Sequence, residues 1–398
     1  VSAGSAFRKI RIGAFTATRA EYGLLRPVLT ALDASDRLEP RLIVSGTHLS
    51  ERHGLTVSEI EADGRAIAAR IPVPLAGDDA GSVAADMAAV LSGAARAYAD
   101  LGLDAVMMLG DRTEVLAAAA AAVPFGLPIL HLEGGHRSAG AVDDAIRHAV
   151  TKLAALHFTA AEPYRRRLLQ LGEAPERVFV VGATGVDNLK AFGASSLVEV
   201  STMLGVDLEP GFLLVTFHPE TLGDVPAKAQ VAAFLGGLST VTDRKMVITQ
   251  PNADVGSDEI RAAVAAFAEG RPGQVHLVES LGARRYAAAL TACDAVVGNS
   301  SSGVIEAPAA GVSSVDVGGR QEGRVKPPSV IGCETDPDAV AVALARALTP
   351  EFTALARSQP APFGDGRAGE RIVAILEHVD FAGLARKPFV DLEIETPT

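Results

Sequence analysis

Apolar positions along this chain gather into short unbroken runs, set apart by longer stretches in which apolar and polar residues share a helical period. The runs at 10–15, 41–45, 105–109, 128–132, 157–159 and 178–181 read as strands buried on both faces. The stretches 21–32, 82–101, 114–123, 141–156 and 162–171 read as helices. A second series has strands at 212–216, 245–249, 275–277, 295–297 and 314–317, with helices at 257–269 and 283–291 among its connections. Continuous apolar strands alternating with amphipathic helices are the pattern of a parallel sheet covered on both sides. The prediction is an α/β chain of two Rossmann-like, doubly wound domains in tandem, with a ligand cleft between their facing strand ends. The N-terminal domain is placed at 1–190 and the C-terminal domain at 191–365, entered through a linker at 191–210. A tail at 366–398 is read as helical over 366–384, packing back on the first domain.

Two stretches qualify this outline. The long polar connection 46–64 is a functional or partly helical loop rather than a plain link. The uncharged stretch 115–132 is long enough to raise the question of a membrane span, but Pro124, Gly126 and Pro128 divide it. A helix, a turn and a buried strand describe it better.

In an open parallel sheet, ligands meet the carboxyl ends of the strands, so the residues just after each run are the candidate chemistry. Asp111, Arg112 and Glu114 follow the run at 105–109, and Glu133 and His136 follow the run at 128–132. With Asp143 and Asp144 they make a carboxylate-rich group in which neighbouring charges raise one another's pKa, as general acids and bases require. A helix-capping role is the competing reading for Asp111, and an equally weighted one for Asp143 and Asp144. His218 follows the first strand of the second series, where an imidazole serves acid–base work or holds phosphate; a structural histidine is the alternative. Asn299-Ser300-Ser301-Ser302-Gly303-Val304-Ile305-Glu306 follows another strand and opens a helix, which suits an anion on free N–H groups, with Glu306 reaching a ribose diol. Arg19 sits at the matching place in the first domain, where it either forks onto a diphosphate or pairs with Glu21 or Glu51. Thr18 and Glu21 have capping-box spacing. Arg320, Gln321 and Arg324 lie among glycines after the last parallel strand, and Asn252 follows the strand at 245–249; these are assigned to substrate. His48, in the polar loop with His53, is assigned to closure over substrate.

Composition narrows the function classes. The 398 residues carry a formal net charge of -12 without a basic run, which argues against nucleic-acid binding. Two cysteines, Cys293 and Cys333, without metal spacing point to a reducing compartment. With no secretory signal pattern at the N-terminus, the expected location is the cytoplasm and no membrane partner is expected. No HExxH metal motif or GxGxxG fingerprint follows the first strand, which argues against a metal, nicotinamide or flavin.

Five motifs in order, Thr18-Arg19-Ala20-Glu21-Tyr22-Gly23-Leu24-Leu25, Leu109 to Glu114, Arg147-His148-Ala149-Val150-Thr151-Lys152-Leu153, Asn299 to Glu306 and Gly319 to Arg324, resemble the UDP-N-acetylglucosamine 2-epimerase family, and most nearly its hydrolysing branch. The resemblance implies a GT-B-like architecture, a UDP-sugar substrate, no cofactor and a homodimer or homotetramer. It also implies C2 deprotonation with loss of UDP from C1, a glycal intermediate, addition of water at C1, and reprotonation of C2 from the other face, giving N-acetylmannosamine. Acid–base work would fall to Asp111, Glu133, Asp143, Asp144 and His218, with His136 beside them. Arg19, Arg112, Glu114, Arg147, Ser300, Ser301, Ser302, Gly303, Glu306, Arg320, Gln321 and Arg324 would hold the substrate. Glu133-Gly134-Gly135-His136 stands where the hydrolysing branch carries His-Gly-Gly-Glu. Thr16-Ala17-Thr18 replaces its Thr-Gly-Thr, placing a methyl group in a turn near the expected phosphates. A related tailoring enzyme with another sugar nucleotide or nucleoside, a GT-B glycosyltransferase, and an inactive nucleotide-sugar sensor are the competing functions.

Overall fold

The computed structural model describes residues 8–138, 142–220, 225–251, 255–360 and 362–392. Among the described residues, thirteen strands form two sheets. The first contains β1 (Ile10–Thr16), β2 (Leu38–Ser45), β3 (Ile67–Ile71), β4 (Ala105–Leu109), β5 (Ile129–Leu132), β6 (Leu156–Thr159) and β7 (Val178–Val180), in the order β3-β2-β1-β4-β5-β6-β7. The second contains β8 (Phe212–Thr216), β9 (Lys245–Thr249), β10 (Val275–Val278), β11 (Ala295–Gly298), β12 (Ser313–Val317) and β13 (Val330–Cys333), in the order β10-β9-β8-β11-β12-β13. The neighbouring strands pair in parallel. Both sheets therefore reverse direction beside their first strand, and each reversal opens a crevice at the strand ends.

The apolar runs are continuous because each strand feeds two cores. In β4, Met107 and Leu109 enter one core while Val106 and Met108 enter the core on the opposite face. In β8, Leu213 and Val215 face one side and Phe212 and Leu214 the other. A fifth cluster joins Tyr164, Val186, Val304, Ile305 and Phe363, bridging the two domains. The final helix, Ala368–Leu376, places Ile372 and Leu376 in the core that holds Leu25, Val28 and Leu29 of helix Arg19–Asp33. The approach is close: a Cβ on Gly369 would lie 2.8 Å from the carbonyl oxygen of Pro27.

Several predicted elements change. The edge strands β3 and β13 were not predicted. The helix expected over 141–156 is Asp143–Leu153, and Leu156 belongs to β6. The expected linker holds the end of helix Thr184–Phe192 and the whole of helix Leu197–Leu204. The last helix stops at Leu376, well short of 384. Beyond it the chain is tied down by Lys387, whose Nζ lies 2.6 Å from the buried carboxylate of Glu173. The apolar stretch 115–132 resolves into helix Thr113–Ala122, a short turn and β5. Among the described residues no single helix is long and apolar enough to cross a membrane, and the one bent pair that qualifies by composition buries Val340, Leu344 and Phe352 in the second core.

Candidate functional site

The strand ends of the two sheets face one another across a cavity of about 280 Å3. Of the predicted site residues, Asp111, Asp143, His218, Arg19, Arg112, Ser300, Ser301, Ser302, Glu306, Arg320 and Arg324 line it. They come from the ends of β4, β8, β11 and β12 and from the first turn of two helices. Gly298 lets β11 and β8 deliver their ends side by side. Its φ is +133°, and any side chain there would strike the carbonyl of Thr216.

The carboxylates meet cations rather than one another. Asp111 forms an ion pair with Arg147, which is buried and also donates to the His136 carbonyl at 3.1 Å and to Ser138 Oγ at 3.1 Å. Asp144 lies 3.4 Å from the same guanidinium, and its Oδ1 accepts the Ser138 N–H at 2.7 Å. Asp143 pairs with Arg320 across the domains at 3.1 Å. The helices that follow take Arg112 and Val142 as N-caps without a side-chain cap bond, so neither Asp111 nor the Asp143–Asp144 pair fills that post.

Glu133 and His136 lie behind the cavity wall. His136 Nε2 is 2.9 Å from Glu133 Oε2, and the imidazole stacks on Tyr164 with ring centroids 3.9 Å apart. Burial lowers the pKa of His136 while the hydrogen bond to Glu133 opposes it. The order Glu-Gly-Gly-His thus holds a glutamate–histidine pair in which the histidine is buried deeper than the glutamate. Glu133 holds this place with φ of +63°, a conformation that costs a residue bearing a Cβ.

Four residues assigned to substrate, His48, Gln321, Gly303 and Glu114, stand outside the cavity lining. His48 is fully buried, with its ring nitrogens 3.1 Å from Thr16 Oγ1 and 2.9 Å from Thr56 Oγ1; burial pulls its pKa down to about 4, so it holds the loop to β1 as a neutral ring. Gln321 is also sealed, donating to the Asn299 carbonyl at 2.7 Å. Gly303 packs under the turn, where a Cβ would lie 2.8 Å from Ser314 Oγ. Glu114 is not among the lining residues and accepts from Arg112 Nε at 3.3 Å. Arg147 acts from behind Asp111. Asp144 likewise stands outside the lining, and Asn252 lies outside the described residues.

The anion turn is shorter than predicted. Ser301–Gly303 forms a single 3-10 turn, and Glu306 begins a separate four-residue helix, Glu306–Ala309. Asn299 anchors this turn to the end of β8, accepting the His218 N–H at 2.7 Å and donating to the His218 carbonyl at 2.8 Å. Burial above all, with the charge of Glu133 adding to it, raises the pKa of Glu306 to about 7. Arg19 makes no ion pair with Glu21 or Glu51; burial lowers its pKa to about 10, with Glu279 and Glu59 opposing that shift. Glu21 closes the predicted capping box and accepts from the N–H groups of Ala17 and Thr18 at 2.7 and 3.2 Å. The methyl of Ala17 is buried against Gly46 and does not enter the cavity.

Arg324 completes the bridge between domains, donating to Ser138 Oγ at 3.2 Å and to the Arg137 carbonyl at 3.3 Å. Val325 N–H donates to Tyr164 Oη at 3.2 Å. Sequence reasoning missed Glu21 as a lining residue, and also Asn188, Thr249, Gln250, Ser280 and Tyr286. The strand-end rule applied to β9 and β10 finds Gln250 and Ser280; Asn188 and Tyr286 sit on helices and carry no such signal.

A family model described as UDP-N-acetylglucosamine 2-epimerase matches residues 30–377. The UDP-N,N'-diacetylbacillosamine 2-epimerase (hydrolyzing) of Legionella pneumophila is 34% identical over 364 residues, covering 92% of this chain and 94% of its own. The GDP/UDP-N,N'-diacetylbacillosamine 2-epimerase (hydrolyzing) of Campylobacter jejuni is 34% identical over 326 residues, covering 82% and 85%. Among solved structures, the UDP-GlcNAc 2-epimerase of Neisseria meningitidis bound to UDP-GlcNAc superposes with a TM-score of 0.78 at 18% identity, over 92% of this chain and 100% of its own, and shares the fold.

Proposed function

Because the chain belongs to the UDP-N-acetylglucosamine 2-epimerase family, we propose that it is a hydrolysing nucleotide-sugar 2-epimerase, releasing UDP and a free 2-acetamido sugar inverted at C2. The observation that carries this reading is a cavity in which Asp111 and Asp143 of one domain face His218 and the Ser300–Ser302 turn of the other. Both relatives described as hydrolyzing 2-epimerases support the hydrolytic outcome. Their names also favour UDP-N,N'-diacetylbacillosamine as a substrate beside UDP-N-acetylglucosamine.

Inversion at C2 requires a proton to leave one face of the sugar and return to the other. Asp111 and Asp143 on one wall, and His218 on the other, are the groups assigned to these transfers. The electron pair of the broken C2–H bond forms the C1–C2 double bond of a glycal as the C1–O bond to UDP breaks. Water then adds its oxygen at C1 and a proton is delivered to C2. Arg19, Arg320 and Arg324 with Ser301 and Ser302 are assigned to the diphosphate, and Glu306 to the ribose. Arg147 pairs with Asp111 and orients it from behind.

The test is incubation in deuterated water with each of the two UDP-sugars. The expected products are UDP and a free sugar with deuterium at C2 in the inverted configuration. UDP released without deuterium at C2 would leave simple hydrolysis. An epimer still bound to UDP would exclude the hydrolysing course.

A further inference from the structure

We propose that Lys387, carried by the C-terminal tail, is a positioning residue for the cleft: it seats helix Asp143–Leu153 so that Arg147 and Asp143 hold their places at the helix's other end. The inference rests on the nucleotide-sugar reading above, because it concerns the same carboxylates. Helix Asp143–Leu153 begins at the cleft with Asp143 and Asp144 and carries Arg147 one turn in. It leads into β6 and so ends beside that strand's amino end, on the side of the sheet opposite the cleft. Its last carbonyls are therefore presented to the floor of the domain, where a helix end favours a cation.

Lys387 supplies that cation. Its Nζ donates to the carbonyls of Thr151 at 2.8 Å and Lys152 at 3.1 Å and pairs with Glu173 at 2.6 Å. The Glu173 side chain has no exposed surface, and it also meets Lys152 Nζ at 2.8 Å and His157 Nε2 at 2.9 Å. The tail is bound on both sides of the ammonium. Val390 N–H donates to the Gly172 carbonyl at 3.1 Å, and Arg177 donates to the carbonyls of Leu384 at 3.1 Å and Arg386 at 3.0 Å. An exposed ion pair would hold the tail weakly, whereas this one is closed on a buried carboxylate.

Thr151 connects this floor to the cleft. Its carbonyl accepts from Lys387, and it stands one helical turn from Arg147, whose guanidinium pairs with Asp111. Its Oγ1 lies 3.4 Å from Nδ1 of the buried His131, whose Nε2 lies 2.8 Å from the Gly110 carbonyl. A carbonyl only accepts, so Nε2 carries the proton and Nδ1 accepts from the hydroxyl. Gly110 turns the chain out of β4 with φ of +83°, and the next residue is Asp111. Two routes from Thr151, one through Arg147 and one through His131, thus end on the same carboxylate. A helix displaced at its far end moves both.

The experiment compares the full chain with its Lys387→Met and Lys387→Arg variants by steady-state kinetics on the two UDP-sugars, calorimetric titration of UDP, and amide hydrogen exchange. Lys387→Met keeps the apolar stem and removes the ammonium. It is expected to lower kcat by about tenfold or more, the effect of a small misplacement of reacting groups. Affinity for UDP is expected to be unchanged, because Arg19 and the Ser300–Ser302 turn stand on other elements. Exchange is expected to quicken over 143–153 and not over helix Arg19–Asp33. Lys387→Arg restores a cation at the helix end and is expected to recover most of the lost kcat. Unchanged kcat in Lys387→Met overturns the proposal. A loss of kcat matched by equal weakening of UDP, or by faster exchange throughout the first domain, also overturns it, since the tail would then only hold the domain together. Should Lys387→Met fail to fold, Glu173→Gln weakens the seat of the same ammonium; the same pattern is expected to a smaller degree, and its absence overturns the proposal. Wild type that turns over neither UDP-sugar overturns the epimerase reading, and exchange over 143–153 then decides the seating of the helix by itself.

Discussion

Glu306 sits where burial and a neighbouring carboxylate both favour the protonated acid, with a pKa raised from 4.5 to about 7. A carboxyl whose folded pKa exceeds its unfolded value binds its proton more tightly when folded. Its stabilising contribution is complete below the unfolded value and is lost as pH rises through about 7. Glu306→Gln removes that titration. Thermal melts at pH 5 and pH 8 should show wild type losing more stability across the interval than Glu306→Gln, at about 2–4 °C for each kcal/mol. Parallel melting curves would rule out the raised pKa. Asp111 tests the other kind of carboxylate, one held against a buried guanidinium. Asp111→Asn should lower kcat on the UDP-sugar substrate by about 10²-fold or more, with KM changed far less, as steady-state kinetics would show. Equal losses in kcat and stability would instead mark Asp111 as a support for Arg147. None of this pairing was legible in the sequence. Strand-end position located Asp111 and His218, and Asp143 was found only as one of a carboxylate-rich group at a helix start, whereas the burial of His48, Gln321 and Arg147 depends on neighbours brought in from distant strands.

Elements were legible in proportion to how completely they are buried. The central strands β4 and β8 are buried at every position and appear in the sequence as unbroken apolar runs. The edge strand β3 reads Ile-Ala-Ala-Arg-Ile and buries only Ile71, so its pattern resembles a loop. β13, also at an edge, has no fully buried position and a glycine inside it. Helix Thr184–Phe192 was hidden because its start, Ala183-Thr184-Gly185, has the composition of a turn; Gly185 is there because a side chain would strike the Glu306 carboxylate. At this scale the contact between helix Ala368–Leu376 and helix Arg19–Asp33 makes a prediction far from the cleft. Gly369→Ala forces a methyl toward the Pro27 carbonyl and should cost about 1–3 kcal/mol, the range for overpacking. Urea denaturation should show a lower midpoint while KM stays unchanged. An unchanged midpoint would mean the helices can separate without loss.

Across the whole molecule, the cleft is spanned by a small number of polar bridges. Arg320–Asp143, Arg324–Ser138 and Val325–Tyr164 lie on one side. On another, the exposed pair Arg52–Asp258 is 2.8 Å apart. Exposed pairs contribute little and are screened by salt, whereas part-buried ones are screened less. Raising salt alone should therefore leave the radius of gyration measured by X-ray scattering nearly unchanged. The double variant Arg320→Ala, Arg324→Ala should increase it as the domains part. No increase would assign closure to the apolar cluster around Tyr164 and Phe363.

The chain leaves the first domain beside Gly182 and returns beside Phe363, whose carbonyl accepts the Ala183 N–H at 2.8 Å. The second domain is thus an excursion between two adjacent points, and helix Ala368–Leu376 fills the first domain's core only after that excursion. During synthesis the domain that starts first is the one finished last. Until residues near 376 emerge from the ribosome, Leu25, Val28 and Leu29 lack their covering helix, and the nascent first domain is the part of the molecule most in need of shelter from aggregation.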